Sequence, residues 1–267
     1  MSDQNTPDVT ELFRDAKAAG EISPHTANIL NGLSARINKT MVLPAGKPSV
    51  TEMTLLCMLI DNTPSMEHKN NHAAAIEGHN LVVSALLGSK AANSIEELTM
   101  LINHHDGYAK KITGDSDEFQ WRALRAAPRL EKRNFIHGCS TPLYDRCLEA
   151  LGSVLARTKW WEDQFGVQTR SVTLLMTDGG NNDGKAEISH VAKVVGDMLA
   201  MEKHRIFFMG VDAGGVDFRK IGAEMGLPPE CVDVVERDPR AIRNRFQLFS
   251  QSAAAIVGGA PSPVSLF

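Results

Sequence analysis

Three short stretches of the chain concentrate hard oxygen donors in patterns that could act together. Asp61-Asn-Thr63-Pro-Ser65 sets a carboxylate and two hydroxyls at alternate positions. Gly138-Cys-Ser-Thr141-Pro-Leu143 offers a third hydroxyl just ahead of a proline, and Thr177-Asp178-Gly179 brings a second carboxylate. Two carboxylates and three hydroxyls suit a small hard cation, Mg²⁺ or Mn²⁺, with Ca²⁺ also within the range of oxygen ligands; zinc prefers nitrogen and sulfur. Hydroxyl oxygens are neutral, so an ion held by Thr63, Ser65 and Thr141 keeps most of its charge. Asp61 and Asp178 then orient the hydroxyls and hold metal-bound water. An ion left this electrophilic, with one position filled by water, attracts an incoming carboxylate. That design serves binding better than hydrolysis. Each stretch alone also has a structural reading: a strand-end aspartate or Ser65 as a helix cap, Thr141-Pro142 as a helix start, Asp178-Gly179 as a turn. It is their joint occurrence at strand-to-helix junctions that points to a metal.

The elements that must position these residues are legible from hydrophobic period. Residues 55–60 (LLCMLI), 172–176 (VTLLM) and 206–211 (IFFMGV) are strand-length and apolar on both alternating faces, as strands buried between two helical layers should be. Between them run helical segments with a 3.6-residue stripe. Residues 72–87 carry Ile76, Val83 and Leu87; residues 142–156 carry Leu143, Leu148, Leu151 and Leu155; residues 187–201 carry Ile188, Val191, Val195 and Met198. Strand alternating with helix predicts a doubly wound α/β fold with a mostly parallel six-stranded sheet. Strands are expected at 55–60, 98–102, 108–112, 172–176, 206–211 and 231–235, with a closing helix over 239–256. The hairpin joining 97–102 to 108–112 through His104-His105-Asp106-Gly107 would supply one antiparallel edge strand.

Outside this core, residues 1–42 predict a helical hairpin. Asp8 stands three before Glu11 like a capping box, Gly20 stops the first helix, and Ser23-Pro24 opens a second bearing Ile29, Leu30, Leu33 and Ile37. A Pro/Gly linker at 43–50 suggests few contacts shared with the main domain at 51–256, which would make the hairpin dispensable for folding and free to act as a second contact surface. Residues 257–267 read as a flexible tail.

Of the 267 residues 43% are hydrophobic and 22% charged, and 28 basic against 32 acidic side chains leave a net charge of −4. That balance speaks against a nucleic-acid binder, whose footprint is a basic excess. No apolar run is long enough to span a bilayer, the opening MSDQNTPDVT has no secretory character, and four cysteines lack ligand spacing, all of which predict a cytoplasmic protein with free thiols. Other constellations are weaker. His68 and His72 have zinc-capable spacing but no third ligand. The loop Gly179-Gly-Asn-Asn-Asp183-Gly fails the EF-hand pattern. The arginine stretches at 122–133 and 237–245 read as solvated faces.

The order Asp61-x-Thr63-x-Ser65, then Thr141, then Asp178-Gly179 resembles the metal-ion-dependent adhesion site (MIDAS) of von Willebrand factor A (vWA) domains, over about residues 51–256. The family pattern is Asp-x-Ser-x-Ser, a distant Thr, and an Asp usually followed by Gly; Thr63 departs from it by one methyl. The resemblance implies a Rossmann-like vWA fold with a divalent cation at Asp61, Thr63, Ser65, Thr141 and Asp178. It also implies a metal-dependent interaction module or adaptor, not an enzyme, that binds an acidic residue of a protein partner. Free-standing bacterial cytoplasmic members of the family are the nearer likeness. On this reading Asp178→Ala weakens metal and partner binding together while leaving metal-free stability nearly unchanged. The competing enzyme reading is a Mg²⁺-dependent phosphohydrolase of the haloacid-dehalogenase type with Asp61 as nucleophile, but that family requires an aspartate where Thr63 stands. A serine hydrolase is a weaker reading still, since no GxSxG elbow surrounds Ser65.

Overall fold

A computed structural model describes residues 7–42, 50–102, 119–132 and 140–258. Six strands, β1 (Glu52–Asp61), β2 (Ile95–Ile102), β3 (Arg122–Ala123), β4 (Gln168–Thr177), β5 (His204–Asp212) and β6 (Val232–Glu236), form one sheet in the order β3-β2-β1-β4-β5-β6. Five are parallel and β3 alone is antiparallel, pairing Ala123 with Glu96 and Arg122 with Glu97. One antiparallel edge strand is therefore present, formed by part of the arginine stretch at 122–133. The strand expected at 108–112, with His104, His105 and Asp106, lies outside the described residues.

The chain leaves β1 toward β2 on one side, and later adds β4 on the other. The winding thus reverses between β1 and β4, and the crevice above their carboxyl ends is the place where such sheets hold ligands. Register puts Ile60 beside Met176, so Asp61 and Thr177 emerge together at that crevice.

Both sheet faces are covered, which is why the central strands are apolar throughout. Leu56, Met58 and Ile60 of β1 face α4 (Asn71–Leu87) and α8 (Pro239–Val257). Leu55, Cys57 and Leu59 face α5 (Leu143–Phe165), α6 (Ile188–Ala200) and α7 (Phe218–Glu224). The buried face of α4 sets small residues, Ala74, Ala75 and Gly78, beside His79, Val82, Val83 and Leu86, so that of the expected stripe Val83 is buried while Ile76 and Leu87 are only half-buried. Close approach is the reason: a Cβ on Gly78 would lie 2.2 Å from the Phe246 ring of α8.

The N-terminal segment departs from expectation twice. It folds as three helices, α1 (Val9–Ala18), α2 (Pro24–Asn31) and α3 (Ser34–Thr40), because the chain breaks at Gly32-Leu33. The start signals act largely as read: Ser23 caps α2 at Thr26 N (3.2 Å). Asp8 caps α1 at Thr10 N (3.0 Å) without a capping box. Nor are shared contacts few. Val9, Phe13, Leu30 and Ile37 belong to the same buried cluster as the β1 face. Against α5 the packing closes on Gly152, whose Cβ would fall 2.6 Å from Ile37 Cδ1 and 2.9 Å from Leu30 Cδ2. This third layer explains why α5 is buried nearly all round. Polar ties accompany it: Ser23 N donates to Asp197 (2.7 Å), and Arg157, held by Glu96 through Nη2 (2.6 Å) and Nε (2.7 Å), reaches the Val42 carbonyl (2.8 Å).

Candidate metal centre

Asp61 is the last residue of β1 and fully buried. Its Oδ1 accepts the Thr63 N–H (2.8 Å) and its Oδ2 the Thr177 hydroxyl (2.7 Å). Burial pushes this carboxyl up to about 6, against the two hydrogen bonds that favour its charge, and the nearby Asp178 adds to the rise. The Asp61–Thr63 bond shapes the loop: it turns the chain so that both hydroxyls of the motif come to the crevice. Thr63 Oγ1 and Ser65 Oγ lie 3.0 Å apart.

Ser65 Oγ donates to Asp178 Oδ1 (2.6 Å), joining the loop after β1 to the end of β4. Asp178 follows β4 directly, and the Thr177 hydroxyl accepts the Gly179 N–H (3.1 Å) to close the turn. Thr141 sits beside this turn, its Oγ1 3.8 Å from where a Gly179 Cβ would be. The structure thus gathers Asp61, Thr63, Ser65 and Asp178 through direct hydrogen bonds, with Thr141 alongside.

Helix α5 begins with Pro142 at its N-cap and no side-chain cap, so the Thr141 hydroxyl is not spent there. The short 3₁₀ helix Pro64–Asn70 has Thr63 at its N-cap, again without a side-chain cap bond. The orphan N–H of Tyr144 is satisfied instead by Asn181 Oδ1 (3.2 Å), and Asn182 Oδ1 takes the Thr141 N–H (2.6 Å). Ser140 reaches Asp183 Oδ2 (2.6 Å). The turn-rich loop at 179–184 is therefore a clip that holds the Thr141 segment in place. Its Gly184 has φ +97°, and a Cβ there would meet Asp145 Oδ2 at 1.9 Å.

Two residues that sequence reading gave no role complete the arrangement. Thr177 bridges Asp61 and the Gly179 turn, as a strand-end hydroxyl next to an aspartate could have suggested. Arg237, just past β6, donates through Nη2 to Asp178 Oδ2 (2.9 Å) and to the Ser65 carbonyl. Arg237 thus departs from the solvated face expected of its stretch: its side chain is only 18% exposed and that of Asp178 not at all. The expectation that Asp178→Ala would leave metal-free stability nearly unchanged falls with it, because Asp178 has protein partners of its own.

The donor set fits a hard divalent cation. With Mg–O bonds of about 2.0–2.1 Å, neighbouring oxygens of an octahedron stand about 2.9 Å apart, close to the spacing of the Thr63 and Ser65 hydroxyls. Ser65 commits its proton to Asp178 and accepts that of Thr63, which leaves a lone pair on each hydroxyl oxygen for an ion. Among the described residues no group of three or more His, Cys, Asp or Glu forms a metal cluster. The zinc-spaced His68 and His72 part company, one exposed and the other buried at the start of α4.

No protein-family model matches this chain, and no curated protein matches it in sequence. Among solved structures it is similar to the pilus adhesin SpaC from Lactobacillus rhamnosus GG in its open conformation. The TM-score is 0.55 at 11% identity, over 79% of this chain and 31% of the adhesin. A second SpaC structure gives a TM-score of 0.51 at 10% identity, over 79% and 32%. Proximal thread matrix protein 1 from the mussel byssus, in a form with a zinc-occupied MIDAS motif, gives 0.45 at 15% identity, over 76% and 46%. This chain spans about a third of the adhesin's length. At such identities the likeness is one of fold, and the fold is vWA-like.

Proposed function

We propose that this chain is a metal-dependent protein-interaction module whose divalent cation, Mg²⁺ or Mn²⁺, is completed by a carboxylate from a protein partner. The observation that carries the reading is the fate of the hydroxyls. Thr63 and Thr141 make no helix cap, and Ser65 turns its proton to Asp178, so all three keep oxygen lone pairs for a ligand at the sheet's switch point. Thr63, Ser65 and Thr141 would hold the ion, with Asp61 and Asp178 orienting them and its waters. Bound there, the ion supplies a strong electrophile for an acidic side chain. The phosphohydrolase reading is weaker, because Asp61 is fully buried with both carboxylate oxygens engaged, a poor position for a nucleophile.

No helix among the described residues is long and apolar enough to cross a membrane, and a cytoplasmic setting is part of the proposal. A second contact through the N-terminal helices would use their outward faces, for example that of α1, where Glu11, Arg14 and Lys17 are exposed, since the inner faces pack on α5 and α6. The test is calorimetric titration with MgCl₂ and MnCl₂ of the wild type and of a Thr63→Val, Thr141→Val variant, followed by capture of protein partners in Mg²⁺ and in EDTA. Binding by the wild type that the variant loses, with partners released by EDTA, is expected. Equal titration curves for both proteins, or partners indifferent to EDTA, would refute it.

A further inference from the structure

Asp178 is a carboxylate with no solvent exposure, and a buried charge without a counter-charge is strongly unfavourable. The chain supplies one itself. Arg237 enters from beyond β6, two strands away from β4, and its Nη2 bonds both Asp178 Oδ2 (2.9 Å) and the Ser65 carbonyl. A single guanidinium nitrogen thereby ties together the end of β4, the loop after β1 and the end of β6. Ser65 meets Asp178 a second time through its own hydroxyl (2.6 Å).

We propose that Arg237 is a resident counter-cation: it holds Ser65 and Asp178 in register in the ion-free chain, and by its charge lowers the affinity of the site for a divalent cation. The proposal rests on the metal reading given above. A divalent ion at the Thr63 and Ser65 hydroxyls would share Asp178 with a positive charge already bound to that carboxylate. Like charges in a partly desolvated crevice repel, so the full attraction of Asp178 becomes available to the ion only as Arg237 withdraws. The guanidinium keeps some exposure, which gives it a path outward into water. Arg237 is thus a positioning residue that also sets affinity. Its function is to keep the site assembled when empty and to make occupancy depend on cation concentration.

The experiment is calorimetric titration with MgCl₂ alone of wild type, Arg237→Gln and Arg237→Lys, with melting curves of each in EDTA and in saturating MgCl₂. Arg237→Gln should bind Mg²⁺ at least ten-fold more tightly than wild type, while Arg237→Lys, which keeps the charge, should stay within about three-fold of it. In EDTA the Gln variant should melt lower than wild type, and the gap should narrow in MgCl₂. A readout that needs no variant is the guanidinium N–H signal of Arg237 in the wild type by ¹⁵N NMR, which should lose its protection as MgCl₂ is added. Gln-variant affinity equal to or below that of a Mg²⁺-binding wild type, or an Arg237 signal unchanged at saturation, overturns this proposal and leaves the metal reading standing. Absence of Mg²⁺ binding in wild type and Gln variant alike overturns both. Binding by the Gln variant alone supports the counter-cation in its strongest form.

Discussion

Replacing Asp178 with alanine tests the architecture of the crevice without any ion present. The substitution removes the acceptor of the Ser65 hydroxyl (2.6 Å) and the partner of Arg237 (2.9 Å). Hydrogen bonds to charged groups contribute roughly 1.5–3 kcal/mol each, and breaking a fully buried ion pair costs about 3–5 kcal/mol. The upper figures do not apply in full. Arg237 retains 18% exposure and can rotate toward water, and the Ser65 backbone is itself at the surface. A loss of about 2–3 kcal/mol in EDTA is expected, which for a chain of this size lowers the melting temperature by about 4–5 °C. The assay is urea denaturation in EDTA of wild type, Asp178→Ala, Arg237→Met and the double variant, read as a thermodynamic cycle. If the pair matters as the geometry indicates, the coupling energy should be about 1–2 kcal/mol, and the double variant should be less destabilised than the two singles added together. An Asp178→Ala chain as stable as wild type in EDTA, or single effects that simply add, would show that the Arg237–Asp178 contact contributes nothing. The resident counter-cation would then lose its basis.

Two further outcomes follow from the buried groups. His204 is fully buried on β5 and bonds Ser171 Oγ through Nδ1 (2.8 Å); burial, with Lys203 and Arg205 beside it, pushes its pKa down to about 3. The folded chain therefore binds fewer protons than the unfolded one between about pH 6.5 and 3, so stability is unaffected above that window and falls as pH drops through it. The His204 contribution is a loss of about 2 kcal/mol between pH 7 and pH 5, offset in part by Asp61, whose raised pKa of about 6 stabilises the fold as pH falls through it. The test is the difference in urea midpoint between wild type and His204→Gln across that range; an identical pH dependence in both proteins would contradict the assignment. At the N-terminus, Leu30 and Ile37 have no exposure and close on Gly152. Leu30→Ala should cost about 2–5 kcal/mol, and a chain lacking residues 1–42 should bind a hydrophobic dye such as ANS through the uncovered face of α5. A truncated chain with wild-type stability and no dye binding would restore the view of that segment as a separable appendage.

Much of this protein is determined by local sequence. Runs apolar on both alternating faces at 55–60, 172–176 and 206–211 mark strands covered on both sides, because a strand exposed on one side would alternate with polar residues. The turn at Asp61-x-Thr63-x-Ser65 is equally local: a carboxylate two residues ahead of an N–H folds back on it wherever the strand ends. Once the winding order is expected to reverse beside β1, the convergence of Asp61 and Asp178 follows from strand register. Other features are decided only in three dimensions. The Arg237–Asp178 bond spans 59 positions and crosses the end of β5, and in sequence Arg237 is one arginine of several on a polar stretch. Likewise, the apolar stripe of Leu30 and Ile37 reads the same whether it packs within its own hairpin or onto a distant helix. It is Gly152, by leaving room for two methyl groups on α5, that settles the matter. Period and turn chemistry act over a few residues, and so can be read along the chain. Charge pairing and close packing act through space, and which partners meet depends on how the layers stack.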